Sequence, residues 1–277
     1  MTSAPKTALI TGAGGGVGLA LAKALAAEGY SLILTDRDEA QLQATATEVV
    51  GKPELITADL RSEVDLAALS QRIESTEQPV DLLVNNAGII MPGSVGSISD
   101  DLTRAHVDIN MTAPMILCAA AARAMKPRGA GNIVSIVSLA AMAPMKDSAA
   151  YAASKFGLRG FMSSLSLEMH PCGVKVSGIY PSAIDTPMLA AELANPAGSP
   201  LNFVGNATPM KPEQIAEHVV KALDSGKLET WLPKSDGIMA GIMMLLPGLI
   251  APVAGWFEKQ GIKKKDAYLK SLEGDEN

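Results

Sequence analysis

Thr7-Ala-Leu-Ile-Thr-Gly-Ala-Gly-Gly-Gly-Val-Gly18 is the stretch on which the fold turns. Residues 7–10 form an apolar run, too short for a helix, that ends at a glycine-rich turn. Residues 19–28 then read as an Ala/Leu-rich helix closed by Gly29. Gly12, Gly16 and Gly18 permit a tight turn and the close approach of a pyrophosphate to the helix N-terminus. No Lys-Ser or Lys-Thr pair follows the glycines, so the loop is not of the triphosphate-cradling type. A plain turn is the alternative reading of the loop alone.

Downstream, nearly all-apolar strands alternate with helical patterns. The spacing predicts strands over 31–35, 55–58, 81–84, 131–138, 174–180 and 229–233. Helices are predicted over 39–50, 64–75, 100–125 and 151–170, with Pro114 marking a kink. This is an α/β pattern, a Rossmann-like doubly wound parallel sheet covered on both faces. Ligands of such sheets sit at the C-terminal strand ends. The unusual residues fall there: the 12–18 loop, Asp36, Asp59, 85–88, Ser138 and 181–186.

Composition narrows the function. Of 277 residues, 48% are hydrophobic and 19% charged, enough for a sizeable core. A net charge of −6 and only 4% aromatics argue against a nucleic-acid partner. Cys118 and Cys172 form no CxxC pattern and are expected to be small buried hydrophobes. His106, His170 and His218 are widely spaced, so no catalytic metal is expected. The N-terminus lacks the charged start and apolar middle of a signal peptide, and a cytoplasmic location is expected.

Ser138, Tyr151 and Lys155 hold a hydroxyl, a phenol and an ammonium at set offsets. If Tyr151 opens a helix, Lys155 lies one turn later on the same face. At ~4 Å and an effective dielectric of ~20, their attraction is roughly 4 kcal/mol, or about 3 pKa units off the phenol's ~10 before burial opposes it. A phenol so tuned exchanges a proton with an alcohol or ketone near neutral pH. A Tyr packed on the core beside a solvated Lys is the alternative reading of the pair. Asp36 ends the second strand, where a carboxylate accepts from both ribose hydroxyls and repels a 2′-phosphate, which favours NAD. Arg37 beside it is the residue that would pair with the extra phosphate of NADP.

Thr11-Gly-x-x-x-Gly-x-Gly18, Asp59-Leu60, Asn85-Asn-Ala-Gly88, Asn110, Ser138, Tyr151-x-x-x-Lys155 and Pro181-x-x-x-x-Thr186 together resemble the short-chain dehydrogenase/reductase family in order and spacing. The resemblance implies a single Rossmann domain that binds NAD or NADP and interconverts an alcohol and a carbonyl. It implies that Tyr151 is the general acid/base, that Lys155 lowers its pKa and holds the nicotinamide ribose, and that Ser138 orients the substrate oxygen. Asn110 matches the helix position whose kink holds a water in a proton relay to Lys155. Thr11, Gly12, Gly14, Gly16, Val17 and Gly18 would border the phosphates, and Asp36 and Arg37 the adenosine ribose. Asp59 and Leu60 would border the adenine, Asn86, Ala87 and Gly88 the body of the cofactor, and Pro181, Ile184 and Thr186 the nicotinamide end. Ser182 stands where the family usually has glycine. The family also makes a homodimer or homotetramer the expected assembly.

Residues 1–235 are expected to form the nucleotide-binding domain and 236–277 a C-terminal extension. Within the extension, 237–257 carries no charge, and a polar tail comes after it. Its length could span a bilayer, but Pro247, Pro252 and several glycines weaken a continuous span. Three readings compete: a wall of the substrate pocket, a dimer contact, and a membrane-surface segment with Trp256 and Lys263 to Lys265 at the headgroups. The extension looks like the hydroxysteroid- and retinol-type branch. The expected function is NAD(H)-dependent interconversion of a secondary alcohol and a ketone on an apolar, steroid- or lipid-like body. The alternatives are an NADP(H)-dependent reductase of acyl or xenobiotic ketones and a non-catalytic NAD-binding sensor or scaffold.

Overall fold

The structure, a computed structural model, describes residues 5–195, 208–246, 248 and 250–274. Seven strands form one parallel sheet: β1 (Thr7–Thr11), β2 (Ser31–Asp36), β3 (Glu54–Thr57), β4 (Val80–Asn85), β5 (Gly131–Ile136), β6 (Val174–Pro181) and β7 (Glu229–Leu232). Their order is β3-β2-β1-β4-β5-β6-β7, so the chain reverses direction across the sheet between β1 and β4. That switch point opens a crevice at the C-terminal strand ends.

Strand residues alternate between two cores, as the two-residue period requires. Ile10, Leu34 and Val84 face one core with Leu21 and Leu25 of α1 (Val17–Ala27), Leu42 of α2 (Glu39–Thr47) and residues further along the chain. Leu9, Ile33 and Leu83 face the other, with Leu69 and Ile73 of α3 (Glu63–Glu74). Ser62 caps α3 by accepting from the Asp65 N–H at 3.2 Å.

The long helix expected over 100–125 is interrupted. α4 (Asp100–Val107) passes into a π turn, Asp108–Thr112, and then α5 (Ala113–Met125). In the π turn the Ala113 N–H bonds the Asp108 carbonyl, skipping that of Ile109. Pro114 has no N–H to give the Asn110 carbonyl. The irregularity therefore centres one turn before the proline. Residues 100–128 form the one described helical run long and apolar enough to cross a membrane, yet Leu117, Cys118, Ala120, Ala121 and Met125 within it are core residues.

α6 (Ala149–Met169) supplies Leu158 and Met162 to the second core. It is pinned to β7 where Arg159 Nε donates to Glu229 Oε1 at 2.6 Å. Two helices absent from the sequence reading come next, α7 (Pro187–Ala194) and α8 (Pro212–Ser225); Ile215 and Val219 of α8 complete the first core. The apolar segment 237–257 is not one element. It contributes to α9 (Lys234–Leu245) and to the start of α10 (Ile250–Gly274), while Pro247 lies outside the described residues. The expected polar tail continues α10 as helix to Gly274, and residues 275–277 lie outside the described residues. Cys118 is buried as expected, but Cys172 is only half-buried at the end of α6, where its Sγ donates to the Glu168 carbonyl at 3.6 Å.

Candidate active site

A cleft of about 380 Å³ lies over the C-terminal ends of the strands. Seventeen of the residues singled out above line it: Thr11, Gly12, Gly16, Val17, Asp36, Arg37, Asp59, Leu60, Asn86, Ala87, Gly88, Ser138, Tyr151, Lys155, Pro181, Ile184 and Thr186. Gly14, Gly18 and Asn110 do not.

The glycine loop is locked to its neighbours. Gly12 has φ +64°, and a Cβ there would lie 2.7 Å from the Ala87 Cα. A Cβ on Gly18 would run into the Gly12 carbonyl, so this glycine lets the helix close under the loop. Gly14 backs onto β2: its N–H donates to Asp36 Oδ2 at 2.9 Å. The other carboxylate oxygen accepts from the Asp38 N–H at 3.1 Å. Asp36 is thus held at the rim by two backbone donors. Thr11 Oγ1 accepts from the N–H groups of Asn86 and Ala87, each at 3.1 Å. Asn86 Nδ2 donates to the Thr11 and Gly12 carbonyls at 3.0 and 2.9 Å. These bonds join the loops after β1 and β4 into one floor.

At the other end, Ser138 follows β5 and its Oγ accepts from the Ala140 N–H at 3.0 Å. Tyr151 and Lys155 lie one turn apart on α6. Lys155 is buried, donates to the Ile136 carbonyl at 3.2 Å and lies 5.8 Å from the Tyr151 ring centroid. The expected electrostatics do not hold for the chain's own groups. Burial pushes the Tyr151 phenol up to about 12, against a lowering by the Ser138 hydroxyl and with a smaller push from Glu192. Burial also brings Lys155 down to about 8. The ammonium, desolvated itself, does not offset the cost of removing a phenolate from water.

Asn110 sits at the π turn, fully buried. Its Oδ1 accepts from the Ile89 N–H at 2.8 Å, and its Nδ2 donates to the Ile89 carbonyl at 2.9 Å and to Ser154 Oγ at 3.1 Å. The side chain clamps the loop after β4 to α6, rather than lying on a helix surface. A Cβ on Gly88 would come 3.2 Å from Asn110 Oδ1 and 3.6 Å from Lys155 Nζ, so this glycine lets the three meet.

Several cleft residues escaped the sequence reading, among them Gln41, Ile89, Ile90, Met188 and Glu192, while Ser182, noted as a departure from the family pattern, also lines the cleft. Met188 and Glu192 depend on α7, whose signal was present: Thr186 caps the helix by accepting from the Leu189 N–H at 3.4 Å, and proline occupies its first position. His106 was also missed as a neighbour of the site. Its Nε2 accepts from the Met91 N–H at 3.1 Å and its Nδ1 donates to the Leu102 carbonyl at 2.8 Å, which sets a neutral tautomer. Its ring meets that of Tyr151 edge-on, with centroids 6.4 Å apart.

The cleft suits a dinucleotide. Thr35 Oγ1 and Ser182 Oγ, which lie at its two ends, are buried without hydrogen-bond partners among the described residues. The glycine floor leaves room for a pyrophosphate, and the Asp36 carboxylate stands where a ribose would lie.

Comparison with known proteins agrees. The model of the short chain dehydrogenase family matches residues 6–197. The chain is 30% identical to the ketoacyl reductase HetN of a Nostoc strain, over 97% of this chain and 95% of that one. Among solved structures, it is similar to a short-chain dehydrogenase from Sphingobium yanoikuyae in complex with NADPH (TM-score 0.74, 28% identity, 86% of this chain and 95% of that one). It is also similar to a 3-ketoacyl-(acyl-carrier-protein) reductase from Brucella melitensis complexed with NADH (TM-score 0.71, 26% identity, 82% and 96%). The parallel sheet, the glycine floor and these matches together make the chain a member of the short-chain dehydrogenase/reductase family, an NAD(P)-dependent oxidoreductase acting on alcohol and ketone groups.

Proposed function

We propose that the protein interconverts a secondary alcohol and a ketone carried on an apolar body, with NAD(H) preferred and Tyr151 as the acid/base. The observation that carries this reading is the convergence of Ser138, Tyr151 and Lys155 at one end of the cleft, opposite the glycine floor and Asp36. A bound nicotinamide supplies the hydride acceptor or donor. Tyr151 Oη takes the proton of the alcohol in oxidation and returns it to the carbonyl oxygen in reduction. Ser138 Oγ holds that oxygen and steadies its developing charge. Lys155, buried below the ring, favours the phenolate, which is the form that accepts the proton in oxidation and the form left after the proton is given up in reduction. Asn110 holds the loop after β4 against α6 and so fixes the distance between the two halves of the site.

The preference for NAD rests on Asp36, whose carboxylate is already fixed by the Gly14 and Asp38 N–H groups. Arg37 also lines the cleft, and it favours a second reading as an NADP(H)-dependent ketone reductase. The apolar substrate rests on Ile89, Ile90, Met188 and Leu189 around the catalytic end. α10 backs that end from behind Ala183 and Leu189. Tyr268 of α10 packs with Ala183, Leu189 and Leu193, and Glu258 pairs with Lys146 at 3.1 Å.

Initial rates on a panel of bulky and small secondary alcohols with both cofactors test the reading. Faster turnover of bulky apolar substrates with NAD is expected; a strong NADPH preference would defeat the role given to Asp36. Tyr151→Phe should lower kcat by about 10²- to 10⁴-fold, and unchanged turnover would remove the mechanism.

A further inference from the structure

Half of the exposed large apolar side chains among the described residues, seven of fourteen, fall between 238 and 262. They include Ile242 at 57% exposure, Leu245 at 79% and Trp256 at 60%. Ile238, Ile242, Met244 and Leu245 belong to α9, Leu246 follows it, and Trp256 and Ile262 belong to α10; the sequence from 237 to 257 carries no charge. A patch of this kind marks a surface that meets an apolar partner.

The charges on α10 identify the partner. Trp256, Lys259, Lys263 and Lys270 are spaced by three, four and seven residues, so they share one outward face of α10, and all four are exposed. Asp266 is exposed on the same helix and offsets part of this charge. The inward face carries Tyr268, packed on α7, and Glu258, paired with Lys146. An indole with lysines beyond it along one face is the arrangement of a helix lying in a lipid interface, with apolar groups at the acyl boundary and ammonium groups among anionic headgroups. The core of a protein–protein contact is depleted of lysine, which disfavours a second copy of the chain.

We propose that the exposed apolar side chains of α9, with the outward face of α10, dock on the surface of an anionic lipid bilayer. Through Tyr268 the inward face of the same helix packs on Ala183 and Leu189, which line the substrate end of the cleft. Docking therefore places the substrate end of the cleft beside the membrane, where an apolar alcohol or ketone would be dissolved. That benefit rests on the apolar substrate proposed above, whereas docking itself requires only the exposed side chains of α9 and α10.

Co-sedimentation of the full chain with vesicles tests it, using phosphatidylcholine alone and phosphatidylcholine mixed with phosphatidylserine. Binding to the mixed vesicles is expected, weaker on phosphatidylcholine alone and weaker at high salt. Trp256→Ala should reduce it about tenfold. Lys259→Gln with Lys263→Gln should remove most of the preference for phosphatidylserine while leaving the melting temperature unchanged, because both side chains are exposed. Absence of binding to either vesicle would overturn the proposal, as would binding indifferent to these substitutions. So would a dimer in solution that Leu245→Ser together with Trp256→Ala converts to a monomer, since the patch would then be covered by a second copy.

Discussion

Lys155 lies 5.8 Å from the centroid of the Tyr151 ring and gives a hydrogen bond to the Ile136 carbonyl, so its charge is held inside the protein by one neutral acceptor. Its pKa falls from 10.5 to about 8 because the ammonium is desolvated. A lysine whose folded pKa is depressed costs stability below that value. The cost is relieved as pH rises from about 8 towards 10.5, because the folded form releases its proton first. Lys155→Met should therefore be more stable than the parent at pH 7. The relief of roughly 3 kcal/mol is offset by the lost bond to Ile136, leaving about 2 kcal/mol. Urea unfolding at pH 7 and above pH 10.5 should show that gain shrinking at the higher pH, while turnover is lost throughout. A variant less stable than the parent at pH 7 would contradict the desolvation account.

Removing the Asn110 side chain leaves the Ile89 N–H and carbonyl without their partner inside the fold. Asn110→Ala is expected to lose about 2–4 kcal/mol of unfolding free energy. The loop after β4 should also become more accessible to hydrogen exchange than the rest of the sheet.

Gly12 and Gly29 both have positive φ, at +64° and +83°, but only Gly12 has atoms within 4 Å of a would-be Cβ. Gly29→Ala should cost about 1 kcal/mol through the backbone alone. Gly12→Ala should cost more and should also weaken cofactor binding, because the loop carrying Asn86 and Ala87 must move away. Thermal melts with and without cofactor separate the two terms, and equal losses would discount the close approach to Ala87.

Asp36→Ala frees the Gly14 and Asp38 N–H groups and removes the negative charge at the rim. The ratio of kcat/KM for NAD over NADP is expected to fall at least about tenfold, which corresponds to about 1.4 kcal/mol. A ratio unchanged by the substitution would move the discrimination to another residue.

Much of this arrangement was legible because strand-end chemistry is local. The glycine turn, Asp36, Asp59, Asn86 and Ser138 each come after an apolar run, and a parallel sheet brings the ends of such runs together. Tyr151 and Lys155 needed only the period of one helix. The electrostatics of that pair were not legible, since their outcome depends on burial and on the 5.8 Å separation, neither of which the four-residue spacing sets. The structural task of Asn110 was hidden for a similar reason: its partners are 21 and 44 residues away. Gly14 and Gly18 read as cofactor contacts, yet one seats Asp36 and the other lets α1 pack under Gly12. α10 was hidden beyond 257 because its inward contacts are spread among Lys146, Ala183, Leu189 and Leu193, with no sustained apolar stripe.

The imidazole of His106 offers a spectroscopic consequence. Its Nδ1 proton is held by the Leu102 carbonyl one turn back on α4 and the ring is buried, so that proton should exchange slowly with solvent and give a resolved resonance well downfield of the amides. The same ring stands edge-on to Tyr151, within reach of that aromatic ring current. Any change in the ionisation or tilt of the phenol should shift this one signal, so the protein carries an internal NMR reporter of its own acid/base group.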